Sequence, residues 1–113
     1  MIARLWCARA AQENMTAYLK HFSAEVLPVL KKCDGFAAAM LLTRDVEGEK
    51  EITVTTFWKS IEAIDAFAGA DRDAAVVAPE AAALLKSFDH RVRHFTVDVA
   101  DSSESISIFA GRD

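Results

Sequence analysis

The sequence is poor in the residues from which most catalytic signatures are assembled. Of its 113 residues, four are glycine, two are proline and two are cysteine. The glycines are not spaced as a phosphate-cradling loop or a dinucleotide fingerprint, which excludes both nucleotide-binding motifs. Cys7 and Cys33 make no Cys-x-x-Cys pair, and no His-Glu-x-x-His or EF-hand spacing occurs, so no metal site is expected. The two cysteines read as small buried hydrophobes of a reducing compartment rather than as a bridge. No basic run exceeds Lys31-Lys32 and the formal net charge is −4, so nucleic acid is not an expected partner. No apolar stretch approaches the ~20 residues that cross a bilayer, so no membrane partner is expected either. The first eleven residues alternate and carry Arg4 and Arg9, unlike a secretory leader, and the expected location is the cytoplasm.

What is present is apolar surface. The hydrophobic share is 52% against 27% charged residues, the composition of one folded domain with more to bury than a small monomer needs. Residues 1–10 alternate as a strand. Met15, Tyr18, Leu19, Phe22, Val26, Val29, Leu30 and Cys33 follow helical spacing. Pro28 removes the bond to the Ala24 carbonyl and is expected to kink the last turns. Asp34-Gly35 ends the helix. Phe36 to Thr43 and Glu51 to Trp58 read as strands joined by a Gly48-containing hairpin. Ser60 caps a short helix with Ile61, Ile64 and Phe67 on its apolar side. Pro79 opens a further helix expected to end near Phe88, and Arg91 to Val99 alternates as a last strand.

The order β-α-β-β-α-β predicts an α+β ferredoxin-like domain over residues 1–100, with helices on one face of a four-stranded antiparallel sheet and a tail over 101–113. The tail's Ile106, Ile108 and Phe109 are read either as a short strand against a partner or as frayed chain. Both parities of the strands carry apolar side chains, among them Trp6 against Leu5 and Cys7. An antiparallel sheet with one wet face would not, so a homodimer through the sheet face is expected.

The candidate site residues are few. His94 lies mid-strand, as a proton shuttle or an anchor for a phenolic or carbonyl oxygen, or as a half-buried histidine satisfied by neighbours. His90 and His94 are about 13 Å apart on a strand and cannot share a metal. Trp6 and Trp58 point toward the helices, where Phe22 and Phe67 can meet them, as a ligand cleft or as core. Arg4 shares the parity of Trp6 and needs a partner, either Asp98 or an anionic ligand. His21, beside Lys20 and Ser23, reads as surface. Cys7 has no activating base in view.

Four segments carry a likeness to a known family: Met-Ile-Ala-Arg-Leu-Trp at the start, Ala-Tyr-Leu-Lys-His-Phe in the first helix, Thr-Phe-Trp-Lys-Ser-Ile-Glu-Ala-Ile from Thr56, and Arg-Val-Arg-His-Phe-Thr-Val from Arg91. Over about residues 1–99 the chain resembles the antibiotic biosynthesis monooxygenase superfamily, the dimeric α/β-barrel proteins. The resemblance implies sheets paired into a barrel and a pocket between sheet and helices for a small hydrophobic or aromatic ligand. Some members oxidise quinols or anthrone-like polyketides with oxygen and no prosthetic group; others bind and degrade haem. The three positions that serve the haem-degrading branch fall on Trp6, Phe67 and Val77, and none carries that branch's residue. The resemblance therefore implies no cofactor, with haem not expected.

The implied function is a cofactor-independent monooxygenase acting on a small aromatic, quinol or polyketide-like substrate. His94 would be the catalytic proton acceptor or oxygen anchor and Arg4 would stabilise negative charge. Trp6, Tyr18, Phe22, Trp58 and Phe67 would form the pocket. The alternative is a non-catalytic, small-molecule-binding or stress-type dimer, which the lack of a titratable cluster favours. Isomerase or lyase chemistry, needing a single base, is a third reading.

Overall fold

Alternation in the first strand is resolved by what each parity meets. In the computed structural model, which describes residues 1–102, β1 (Ile2–Ala11) runs down the middle of an antiparallel sheet. On one side it pairs with β3 (Glu49–Trp58), itself paired with β2 (Phe36–Val46). On the other it pairs with two short strands, β4 (Ser87–Phe88) and β5 (Arg93–Thr96). This is the expected ferredoxin-like α+β arrangement, with the last strand divided in two.

The register fixes which side chains share a face. One row across the sheet reads Ala39, Thr56, Arg4, His94, and the next reads Leu41, Val54, Trp6. These rows face the helices, together with the buried Ala8, Ala10, Ile52 and Trp58. The opposite face carries Leu5, Cys7, Met40, Leu42, Thr53, Thr55 and Phe95, with Leu42 and Phe95 exposed.

The long amphipathic segment forms one helix in three parts: α1 (Met15–His21), a π-helical segment Phe22–Val26, and α2 (Leu27–Lys31). Pro28 explains the middle part. It brings no N–H for the Ala24 carbonyl and its ring crowds the preceding turn, which widens until Leu27 N–H bonds the Phe22 carbonyl five residues back. The irregularity thus lies upstream of the proline, not in the last turns. Gly35, at φ +83, makes the turn into β2; a Cβ there would stand 2.5 Å from that of Ala63.

β2 and β3 each extend beyond the expected bounds, because Glu47 (φ 53) and Gly48 (φ 81) close a two-residue turn of the twist that antiparallel strands prefer. Ser60 caps α3 (Ile61–Ala68) as expected, its Oγ accepting from Ala63 N–H at 3.1 Å. The helix begun by Pro79 is a single turn, α4 (Pro79–Ala82), not a run to Phe88. Lys86 N–H and Asp89 N–H turn instead to the carbonyls of Arg9 and Cys7, which pulls Ser87–Phe88 into the sheet. The expected strand over Arg91 to Val99 is ordered as a ladder only over Arg93–Thr96. Ile106, Ile108 and Phe109 lie outside the described residues.

Two apolar clusters fill the space between sheet and helices. One gathers Met15, Tyr18, Phe22, Ile52 and Val54 under α1; the other gathers Leu30, Ile64 and the fully buried Trp58. No helix among the described residues is long and apolar enough to cross a membrane.

Candidate active site

A cavity of about 90 Å³ lies between the two clusters. Its sheet wall is Arg4, Trp6, Val54, Thr56 and Val92; its helix wall is Tyr18, His21, Phe22, Val26 and Leu30. Phe67 of α3 and the segment Val76, Val77, Ala78 close it. Five of the seven predicted site residues line this space: Arg4, Trp6, Tyr18, Phe22 and Phe67. Trp58 does not. It stands behind Phe67 with ring centroids 5.2 Å apart, and its indole N–H donates to Thr56 Oγ1 at 2.8 Å. His94 is not among the lining residues either.

Arg4 is the charged floor of an otherwise largely apolar cavity, and only 5% of its surface is exposed. The expected carboxylate partner Asp98 plays no part in holding it. The guanidinium donates through Nη1 to the Arg72 carbonyl at 2.7 Å and through Nη2 to the Ala74 carbonyl at 2.8 Å. A second Nη1 contact reaches His94 Nε2 at 3.0 Å. Phe67 lies under the cation, 5.5 Å from centroid to Cζ. Carbonyl dipoles and an aromatic face therefore offset the cost of burying this charge. Two of its five N–H groups, on Nε and Nη2, have no acceptor among the described residues.

This geometry fixes the state of His94. Arginine can only donate, so Nε2 must accept, and the ring proton sits on Nδ1. Nδ1 faces Asp73 Oδ1 at 3.2 Å. Burial and the neighbouring Arg4 charge lower the His94 pKa, with Asp73 opposing them. The imidazole is neutral, and both its nitrogens are engaged. Burial also lowers Arg4, against the pull of Asp73, without discharging it. Asp73 belongs to a segment tied down at both ends: Arg72 forks onto Asp65 at 2.7 and 2.9 Å, and Arg91 forks onto Asp71 at 3.0 and 3.2 Å.

Tyr18 is 3% exposed, and burial pushes its pKa up to about 12, so the hydroxyl stays protonated as a donor. Trp6 commits its indole N–H to the Asp89 carbonyl at 2.9 Å, leaving only its ring surface for the cavity. His21, read from sequence as surface, is half-buried instead. Its Nε2 is enclosed and has no hydrogen-bond partner among the described residues. His21 stands three residues after Tyr18, the spacing that puts two side chains on one helix face. That signal was available in the sequence. Thr56, Val76, Val77, Ala78 and Ala81 were also missed as wall residues, because their places depend on cross-strand register and on a loop without periodicity. No cluster of three potential metal-ligating side chains occurs among the described residues.

The sequence pattern of the antibiotic biosynthesis monooxygenase family matches residues 1–79. No protein of curated function matches the chain. Solved structures share its fold. A candidate antibiotic biosynthesis monooxygenase from Bacillus cereus is 17% identical, over 90% of this chain and 97% of its own, at a TM-score of 0.65. The haem-degrading MhuD of Mycobacterium tuberculosis, with two haems in its active site, is 22% identical over 90% of this chain and all of its own, at 0.63. MhuD in a substituted form carries two manganese protoporphyrin IX molecules per active site and superposes over 91% of this chain and all of its own at 0.65, again 22% identical. These two structures overturn the expectation that haem has no place here. The mismatches at Trp6, Phe67 and Val77 concern one set of ligand positions, whereas the fold itself accommodates porphyrins.

Proposed function

Because the chain belongs to the antibiotic biosynthesis monooxygenase family, we propose that the cavity is the site of an oxygenase whose substrate is a small aromatic, quinol or polyketide-like compound. The observation that carries this reading is the buried Arg4, a fixed positive charge with two unengaged N–H groups in an aromatic pocket. Such a floor favours a ligand that becomes an anion, a phenolate or an enolate, over its neutral form. Trp6, Phe22 and Phe67 hold the ring and exclude water, and Tyr18 donates from the helix side. His94 acts through Arg4 as a positioning residue. It has no free nitrogen to offer a substrate, but its lone pair and Asp73 fix where the guanidinium points.

For an anthrone-type methylene the balance closes within the substrate. Deprotonation gives a carbanion stabilised by the adjacent ring oxygens, dioxygen adds to that carbon, and loss of water leaves a ketone. One methylene and one dioxygen thus become one carbonyl and one water, with no outside reductant.

Haem is a second reading that one observation favours. Two neighbours of the same fold hold haem or manganese protoporphyrin IX in their active sites. In this chain Trp6, Phe22 and Phe67 would flank the macrocycle; haem so bound would supply a centre for activating oxygen.

The apolar outer sheet face fits a two-fold homodimer built through it. A light-scattering mass equal to one chain at micromolar concentration would refute that assembly. The catalytic reading is tested by oxygen uptake with a panel of quinols and anthrones, comparing the wild type with Arg4→Met. Uptake that collapses in the variant is expected. A protein that retains an aromatic ligand but consumes no oxygen across the panel would be a binding protein instead.

A further inference from the structure

Polar groups inside a folded protein are almost always hydrogen-bonded, and each exception needs a reason. Two exceptions stand on the wall of the cavity. Arg4 is 5% exposed and Tyr18 3%, and both line the space. The Nε–H of Arg4 and the hydroxyl of Tyr18 have no protein partner among the described residues. Neither atom is sealed in. Among the described residues, His21 Nε2 is the one buried side-chain nitrogen or oxygen both unbonded and closed to solvent. In side chains buried so deeply, the surface left to Arg4 Nε and Tyr18 Oη is cavity surface.

The shape of the guanidinium says which anion suits it. Nη1 and Nη2 donate to the Arg72 and Ala74 carbonyls, two residues apart on one loop, which takes up the end-on edge. The other Nη1 proton turns to His94 Nε2. That leaves Nε–H and one Nη2–H, which lie parallel on the remaining edge of the planar group. Two parallel donors match the two oxygens of a carboxylate, whereas a phenolate brings a single oxygen to them. At about 90 Å³, below the ~150 Å³ that houses benzene, the cavity buries no more than one ring.

We propose that the site takes a single-ring aromatic carboxylate. Its carboxylate receives Nε–H and Nη2–H of Arg4 together, while a hydroxyl or carbonyl oxygen on the ring accepts from Tyr18 Oη. Trp6, Phe22 and Phe67 enclose the ring between the sheet-side and helix-side donors. The inference rests on the aromatic-substrate reading and narrows its anion from any ionised oxygen to a carboxylate, but the two fail differently.

The test is calorimetric titration of the full-length protein with the hydroxybenzoate isomers, their neutral amides, benzoate and 4-nitrophenolate. The pH is set where 4-nitrophenol is ionised and the hydroxyls of the benzoates are not. One hydroxybenzoate is expected to bind at least about tenfold more tightly than its amide, a step of 1.4 kcal/mol. Arg4→Lys keeps the charge and loses the fork. It should weaken that acid at least about tenfold and 4-nitrophenolate far less. Tyr18→Phe should bring the hydroxybenzoate down to the affinity of benzoate; an undiminished preference would overturn the part given to Tyr18. An amide that binds wild type as tightly as its acid would overturn the inference without recourse to any variant. So would Arg4→Lys weakening acid and phenolate equally, or 4-nitrophenolate binding where no benzoate does. Those results leave the aromatic pocket intact. No binding by any of these ring compounds would overturn both.

Discussion

Replacing Arg4 with Met tests the anion-binding floor while nearly conserving volume. Of the five guanidinium N–H groups, three are committed to Arg72, Ala74 and His94, so a ligand can receive at most two. One hydrogen bond between charged partners contributes about 1.5–3 kcal/mol. Loss of a single such bond should therefore weaken an anionic ligand by about 10- to 150-fold, at 1.4 kcal/mol per decade. A neutral ligand of the same shape should lose little. The assay is paired calorimetric titration with 4-nitrophenolate, above its ionisation range, and with nitrobenzene. Arg4 also ties down the segment around Asp73, so Arg4→Met will lower stability, and the titrations belong well below the variant's unfolding temperature. The reasoning would be refuted if both ligands weakened equally. That result would make Arg4 a brace for the 72–74 carbonyls and not a recognition group.

Three further outcomes follow from contacts around the cavity. Thr56→Val leaves the fully buried Trp58 indole N–H without its acceptor and should cost about 1–3 kcal/mol in urea unfolding; a change below about 0.5 kcal/mol would show the bond to be dispensable. The His94 pKa is lowered in the folded protein, so stability should be full above the ordinary histidine value near 6.5 and decline as pH falls from there through the folded value. His94→Asn should flatten that decline above the carboxylate range, and an unchanged profile would assign it elsewhere. Gly35→Ala forces a Cβ onto a backbone at φ +83 and to 2.5 Å from Ala63 Cβ. A loss of about 1–3 kcal/mol is expected from overpacking alone, read as a fall in melting temperature of several degrees.

The sequence was most informative where one period governs a long segment. Alternation in β1 and β3 sorted Arg4, Trp6 and Trp58 onto the helix-facing side, and the 3.6-residue spacing brought Tyr18 and Phe22 to face them. It was least informative where geometry arises from contacts distant in the chain. Whether Trp58 lines the cavity or stands behind Phe67 depends on how α3 seats, which no local pattern encodes. The partners of Arg4 are backbone carbonyls of a loop far along the chain, and a carbonyl leaves no trace in residue type. His94 could be placed on the right face, but the loss of its free nitrogen to Arg4 became visible only through cross-strand register. His21 was misjudged because Lys20 and Ser23 beside it are polar, although its spacing from Tyr18 already carried the answer.

The π-helical segment Phe22–Val26 makes the helix wall of the cavity a matter of counting. An α-helix advances about 100° per residue. A π turn completes the same rotation with one residue more than an α turn, so winding the same residues as regular α-helix would swing everything on one side of it by that angle. Tyr18 and His21 lie on the N-terminal side and Leu30 on the other, and all three now face one space. With the turn regularised, the two groups could not face it together. The polar groups on this wall are thus indexed in whole residues. Rewinding the widened turn at constant length would exchange the groups on this wall in a single step, whereas losing its extra residue would leave them facing as they do.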